Sequence, residues 1–412
     1  MNRLLLAGFS AVTLVAAVLP AHAAMAVGAD LFAGSRNTGQ AIDAARALPF
    51  TPFYTTPAIR APDAPGTLVR AEPASEFDLP PGVSATRILY HTQAVEGSNR
   101  LASGVVLVPY GRPPAGGWPL LAWAHGTTGV ARGCAPSLMK SLFYNWQGLY
   151  EYVMLGYAVV ATDYAGLGTP GGHAYLDMQS NGVDVIHSVE AAQAAVSTLS
   201  RNWIVIGHSQ GGLATFGVAQ LEGKLKDPNF LGTVALAGAS DLEDGIAAME
   251  RASQPVLNGL MAFAAFGMKS VYPEIDLKDI LTDKALARYE AHVEDGCSAA
   301  MGAFTDISPA EMFRPGWKDN QYVKLFLARN RPAAQPIKGP LLMVTGGDDP
   351  MFTEPASRKV LDRLCADGAR VERIVYPGLG HDPVVYGSLR DQMAWIASRF
   401  AGEPPQSSCP SL

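Results

Sequence analysis

The chain has 412 residues, of which 48% are hydrophobic and 17% charged, with 42 glycines, 30 prolines and a formal net charge of −6. That length is long for one domain and short for two large ones, and the apolar content is ample for a sizeable core. The acidic balance and the lack of a Lys/Arg run exclude the basic face that nucleic acid needs and the polybasic cluster that anionic lipid needs.

At the amino end, Arg3 precedes an apolar stretch from Leu4 to Leu19 and the small-x-small sequence Ala21-His22-Ala23. This order predicts an export signal over residues 1–23, and the short run broken by Pro20 argues against a membrane anchor. No later segment holds the roughly 18 consecutive apolar residues of a spanning helix. The expected location is therefore outside the cytoplasm, in the periplasm or the medium.

Residues 24–82 are rich in Pro and Ala, with one short helical stretch near Gln40 to Ala47, and read as an extended arm lying over a core. Ala85 to Gln93 and Leu101 to Pro109 read as an antiparallel hairpin around the turn Glu96-Gly97-Ser98-Asn99. Short runs rich in Val, Ile and Leu follow at Leu120–Ala124, Tyr157–Thr162, Trp203–Gly207, Gly232–Ala237, Leu341–Thr345 and Val371–Tyr376. Such runs suit strands buried on both faces of a parallel sheet. Helical stretches stand between several of them, at Val183–Leu199, Leu213–Leu225, Ala356–Cys365 and Ser388–Phe400. The alternation predicts an α/β fold over residues 83–240 and 336–412, a mostly parallel sheet flanked by helices. Residues 241–335 interrupt the rhythm with helices and no clear strand; the apolar stretch Val256–Met268 in it predicts a helical cap or lid insertion.

Cys134, Cys297, Cys365 and Cys409 are an even set in a chain expected to be exported, and four cysteines permit about three pairings. None lies at the short spacing of a zinc knuckle. Cys365 with Cys409 would tie the tail to the last helices, and Cys134 with Cys297 would fasten the insertion to the core.

The sequence Ile204-Val205-Ile206-Gly207-His208-Ser209-Gln210-Gly211-Gly212-Leu213 places G-x-S-x-G between a buried strand and a helix. A serine nucleophile must stand clear of the sheet, which demands a sharp strained turn with small neighbours. The context predicts an α/β-hydrolase fold with Ser209 as nucleophile. On this fold an acid and then a histidine follow the serine. The strand ending at Thr345 runs into Gly346-Gly347-Asp348-Asp349-Pro350; the G-x-x-D spacing favours Asp349 as the acid, with Asp348 as a turn residue. The last strand leads to Gly378-Leu379-Gly380-His381, which makes His381 the candidate base. His91, His173, His187 and His292 lack such placement and read as structural or exposed, and His208 should point away from the site. The oxyanion donors are expected to be the Gln210 N–H and, from the turn His125-Gly126-Thr127-Thr128, the N–H of Thr127 ahead of that of Thr128.

Beyond the elbow, the chain resembles the secretory lipases, fungal and bacterial. The resemblance rests on Phe53-Tyr54-Thr55-Thr56-Pro57, Pro65-Gly66-Thr67-Leu68-Val69-Arg70, Gly133-Cys134-Ala135-Pro136-Ser137 and Thr162-Asp163-Tyr164-Ala165-Gly166-Leu167-Gly168, and covers Phe53 to the end. It implies a carboxylester hydrolase with a helical cap, two disulfides and no metal or organic cofactor. Where some fungal members place an acidic side chain near the oxyanion hole, this chain has Thr127 and Thr128. The expected substrate is an acylglycerol, small ester or polyester, with the cap as the place for contact with a lipid interface and no obligate protein partner. A peptidase or an acyltransferase on the same scaffold is the alternative.

Overall fold

The protein is described by a computed structural model covering residues 47–58, 64–94, 96–142, 148–252, 256–294 and 296–410. The expected export signal and nearly all of the helical stretch near Gln40 to Ala47 lie outside the described residues.

Among the described residues, nine strands form one sheet: β1 (Leu68–Ala74), β2 (Val83–Gln93), β3 (Asn99–Pro109), β4 (Trp118–Ala124), β5 (Ala158–Thr162), β6 (Leu199–His208), β7 (Phe230–Leu236), β8 (Leu341–Gly346) and β9 (Val371–Tyr376). Their order across the sheet is β1-β2-β3-β5-β4-β6-β7-β8-β9. β1, β2 and β3 pair antiparallel, β3 joins β5 antiparallel, and every pairing from β5 to β9 is parallel. One strand was not anticipated. β1 falls in the stretch expected to be an extended arm; its Pro73, its two alanines and the charged Arg70 and Glu72 hide a strand signal, and it acquires its pairing only by lying against β2.

The main helices are α1 (Leu149–Met154), α2 (Met178–Ala195), α3 (Gln210–Leu225), α4 (Leu242–Ala252), α5 (Val256–Val271), α6 (Asp283–His292), α7 (Pro309–Met312), α8 (Gln321–Arg329), α9 (Glu354–Ala366), α10 (Pro383–Gly387) and α11 (Leu389–Phe400). The central strands are apolar along their buried lengths because both faces are covered there. Leu121, Trp123, Ile204, Ile206 and Val234 pack toward α1, α10 and α11, where Leu149, Val384 and Ile396 meet them. Their sequence neighbours Leu120, Ala122, Trp203 and Val205 face α2 and α3, against Val185, Val189, Ala214 and Val218. This is the alternation of a pleated strand, with a helix layer on each side.

Helices α4 to α8 form a cluster with its own core, in which Phe263, Ile280, Phe304, Val323 and Phe326 are fully buried. Polar contacts fasten both ends to the sheet domain. Near its start, Asp241 accepts both guanidinium arms of Arg363 on α9, one at 2.9 Å. Near its end, Arg329 pairs with the buried Asp177 at 2.7 Å, and Asn330 accepts the Met178 N–H at 2.8 Å. Asp177 also caps α2 by accepting the Ser180 N–H.

The segments that carry the family resemblance meet in space. Buried Asp163 accepts the N–H of Ser137 at 2.8 Å and the hydroxyls of Ser137 and Ser103, and the Tyr54 hydroxyl donates to the Ser137 carbonyl at 2.9 Å. The cysteines join as Cys134–Cys297 and Cys365–Cys409, with Cα–Cα distances of 5.2 and 5.3 Å. The second closes 44 residues of chain and holds the tail beside α9. Loop-closure entropy makes such a link worth about 2–4 kcal/mol. Cys409→Ser is expected to lower unfolding free energy by about that amount under non-reducing conditions, read from the denaturant midpoint.

Candidate active site

β6 ends at His208 and α3 begins at Gln210, so Ser209 alone makes the turn, at φ 59° and ψ −120°. A non-glycine residue there carries strain of order 1–3 kcal/mol, held by its surroundings. The Ser209 N–H donates to the Leu236 carbonyl at 3.0 Å. The turn works because two flanking positions lack side chains. A Cβ on Gly207 would lie 2.5 Å from the Gly211 carbonyl oxygen, and one on Gly211 would lie 1.9 Å from that of Ala124.

Two loops at the same edge of the sheet meet the serine. His381 Nε2 lies 2.9 Å from Ser209 Oγ, and its Nδ1 lies 2.8 Å from Asp349 Oδ2. The other Asp349 oxygen accepts the N–H groups of Met351 and Phe352, at 2.8 and 2.9 Å. Asp348, one residue earlier, is exposed, and its N–H instead closes the loop on the Leu379 carbonyl. The geometry thus brings Ser209, His381 and Asp349 into one hydrogen-bonded chain and leaves Asp348 outside it.

Burial alone would lower the pKa of His381, but the Asp349 charge and hydrogen bond outweigh it and raise it above 6.5. The same pair settles Asp349: burial disfavours its charge, and the facing imidazole with two backbone N–H groups reverses this, holding the carboxyl below its ordinary value. Phe352 stacks beside the His381 ring, with centroids 5.5 Å apart.

His208 was expected to stand apart, yet it reaches the histidine loop. Its Nε2 donates to the His381 carbonyl oxygen at 3.1 Å, and the two rings lie 4.7 Å apart. Burial drives its pKa down to about 3, so it is a neutral donor. A second contact set lies behind the elbow. The Gln210 amide donates to Asn181 Oδ1 at 3.0 Å and to His173 Nε2 at 2.9 Å. Burial holds His173 neutral with a pKa of about 3, so this nitrogen accepts. Periodicity carries no signal for these contacts, because the partners are 29 and 37 residues from Gln210.

Thr127 lies on the far side of Ser209, lining the same cavity, while Thr128 is fully buried. The backbone of this turn is held by Ser298, whose hydroxyl donates to the Thr127 carbonyl at 3.2 Å and whose N–H donates to that of Thr128 at 2.9 Å. Ser298 follows Cys297, which the disulfide to Cys134 anchors. The Gln210 N–H is the first of a helix and has no partner within it. The cavity has a volume of about 60 Å³ and runs from Ser209 under the α4–α8 cluster, with Met249, Met261, Met268, Phe313, Trp317 and Phe326 on its walls. Among the described residues, His208, His381 and Asp382 bring ligand-type atoms within 4.8 Å of one another. Both His381 nitrogens and His208 Nε2 are already hydrogen-bonded, so these three are not a free metal-ligand set.

A mostly parallel sheet with helices on both faces and a strand–serine–helix elbow at its carboxyl edge defines an α/β-hydrolase. The chain belongs to the secretory lipase family, whose model it matches over residues 144–408. A probable inactive lipase of Mycobacterium tuberculosis (strain CDC 1551 / Oshkosh) is 26% identical over 386 residues, covering 86% of this chain and 82% of that one. Among solved structures, Candida antarctica lipase A superposes with a TM-score of 0.75 at 16% identity, covering 88% of this chain and 89% of that one. The rice cell wall degrading esterase LipA from Xanthomonas oryzae gives 0.67 at 20%, covering 82% of this chain and 98% of that one. These neighbours share the fold, and family and fold together make the chain a hydrolase of the lipase and esterase class.

The imidazole of His381 is expected to titrate above 6.5 by NMR, and in Asp349→Asn to fall, because burial is then opposed only by the smaller pull of Asp382.

Proposed function

We propose that this protein is a secreted carboxylester hydrolase working through an acyl-enzyme, with Ser209 as nucleophile, His381 as general base and acid, and Asp349 as the acid that orients it. The observation that carries this reading is the unbroken hydrogen-bonded chain from Ser209 Oγ through His381 to Asp349, at 2.9 and 2.8 Å. Ser209 Oγ attacks the ester carbonyl carbon as His381 Nε2 takes its proton. The tetrahedral oxyanion is met by the N–H groups of Gln210 and Thr127. The imidazolium returns the proton to the departing alcohol oxygen, and a water molecule repeats the sequence on the acyl-enzyme, freeing the acid and Ser209. Asp349 stays ionised and stabilises the imidazolium.

The apolar walls of the cavity suit the acyl part of an ester and offer no carboxylate cluster for a peptide amino terminus. The cap over it would exclude water and supply the contact with a lipid interface. Secretion is supported by the residue 1–23 pattern, the two disulfides and the family; among the described residues no helix is long and apolar enough to cross a membrane. The Mycobacterium tuberculosis relative carries the word inactive in its name, which makes activity itself the first thing to measure here.

Ser209→Ala is expected to fold normally and to lose p-nitrophenyl ester turnover by at least about 10⁴-fold, together with fluorophosphonate labelling; retained turnover would overturn the assignment. An ester chain-length series, run in solution and as an emulsion, reads what the cavity and cap admit. In the wild type, kcat/KM should fall on the acid side as His381 becomes protonated, with its midpoint above pH 6.5 because the folded pKa is raised.

A further inference from the structure

Beside Ser209, the cavity wall holds a pair of hydroxyls that the mechanism above leaves idle. Thr127 Oγ1 and Tyr175 Oη lie 2.6 Å apart, and both residues line the cavity with Ser209. Which of the two donates is decided by what each can otherwise do. Tyr175 is buried at 2% exposure, and among the described residues its hydroxyl meets Thr127 alone. If Thr127 donated, the phenol proton would be left buried without an acceptor, at the full cost of desolvation. If Tyr175 donates, only a phenol lone pair is unused, and the threonine proton is free to turn elsewhere. Burial also pushes the Tyr175 phenol well above its ordinary pKa, which keeps it a donor at any working pH.

Among the described residues the Thr127 hydroxyl meets Tyr175, and it stands on the cavity wall that Ser209 shares. The carbonyls of residues 127 and 128 accept from Ser298, which pins the backbone of the turn from the insertion side. Tyr175 is pinned in turn by edge contacts with Phe263 on α5 and with His173. Thr128, whose hydroxyl is buried with no partner among the described residues, does not line the cavity.

We propose that the Thr127 side-chain hydroxyl is a third oxyanion donor, added to the two backbone N–H groups, and that Tyr175 is the positioning residue that turns the Thr127 proton toward the reacting oxygen. This rests on Ser209 being the nucleophile. The pair sets a polar feature of the wall beside Ser209, near the oxygen that gains charge, where a fixed donor is worth most. It also couples chemistry to the cap, because the ring of Tyr175 is seated against α5.

The test is a double-mutant cycle on the full chain with a soluble p-nitrophenyl ester, alongside inhibition by n-butylboronic acid as a tetrahedral mimic. Thr127→Val is expected to lower kcat about 10- to 100-fold with KM within about two-fold, and to weaken the boronate in parallel. Thr127→Ser should recover most of that loss. Tyr175→Phe should lower kcat about 3- to 10-fold alone and add nothing in the Thr127→Val background, since the proton it positions is then gone. A Thr127→Val enzyme with wild-type kcat and boronate affinity overturns the proposal while leaving Ser209 in place. So does a Tyr175→Phe effect of equal size in both backgrounds, which would mark a packing role only. Turnover surviving in Ser209→Ala overturns this proposal together with the reading beneath it.

Discussion

The whole site depends on a close approach of three backbones at the end of β6. The Gly211 Cα sits so near the Ala124 carbonyl that no side chain fits between them, and Gly207 is pressed against Gly211 in the same way. That contact lets α3 start immediately beside β4, and it forces Ser209 into its positive-φ turn. From it follow both the outward serine and the nearness of the Thr127 turn, which continues from β4. A single methyl group at position 211 would separate the serine from the loop that faces it.

Around that point the remaining groups are held by elements that come from distant parts of the chain. His381 and Asp349 arrive on loops after β9 and β8, which run parallel and adjacent, so their carboxyl ends open on the same edge. The histidine loop is steadied from beneath by His208, and the turn at Thr127 is steadied from the insertion by Ser298 next to the Cys134–Cys297 link. Neutral buried imidazoles recur here for one reason: burial removes the charge, and each neutral ring then offers one donor and one acceptor nitrogen. The α4–α8 cluster is fastened by charged groups near its two ends, Asp241 with Arg363 and Arg329 with Asp177, while its interior is apolar. Such an arrangement keeps its ends in register with the sheet and leaves the cavity walls to Met and aromatic side chains.

Much of this was legible without coordinates where the signal is local. Six apolar runs appear at β4 to β9, because a strand covered on both faces is apolar along its buried length. The edge strand β9 still carries Val371, Ile374 and Val375, and the hairpin β2–β3 is marked by its turn. The G-x-S-x-G elbow is equally local, since strain and close approach act within five residues. β1 was not legible, for its pairing comes from β2 and its own composition is that of a loop. The links from His208 to the His381 carbonyl and from Gln210 to His173 were not legible either, because no spacing rule relates those positions.

The amino-acid sequence by itself determined the class of sheet, the elbow serine, and the loops from which an acid and a histidine would come. These depend on hydrophobic periodicity and on the backbone freedom of glycine, which are properties of short stretches. Only the tertiary structure decided between Asp348 and Asp349 as neighbour of His381, joined the cysteines in one of three pairings, and set Tyr175 on Thr127. Those outcomes turn on which way a side chain points once two loops have docked. Direction of that kind is a property of the packed molecule: the G-x-x-D spacing favours one acid, and only docking of the two loops aims its side chain.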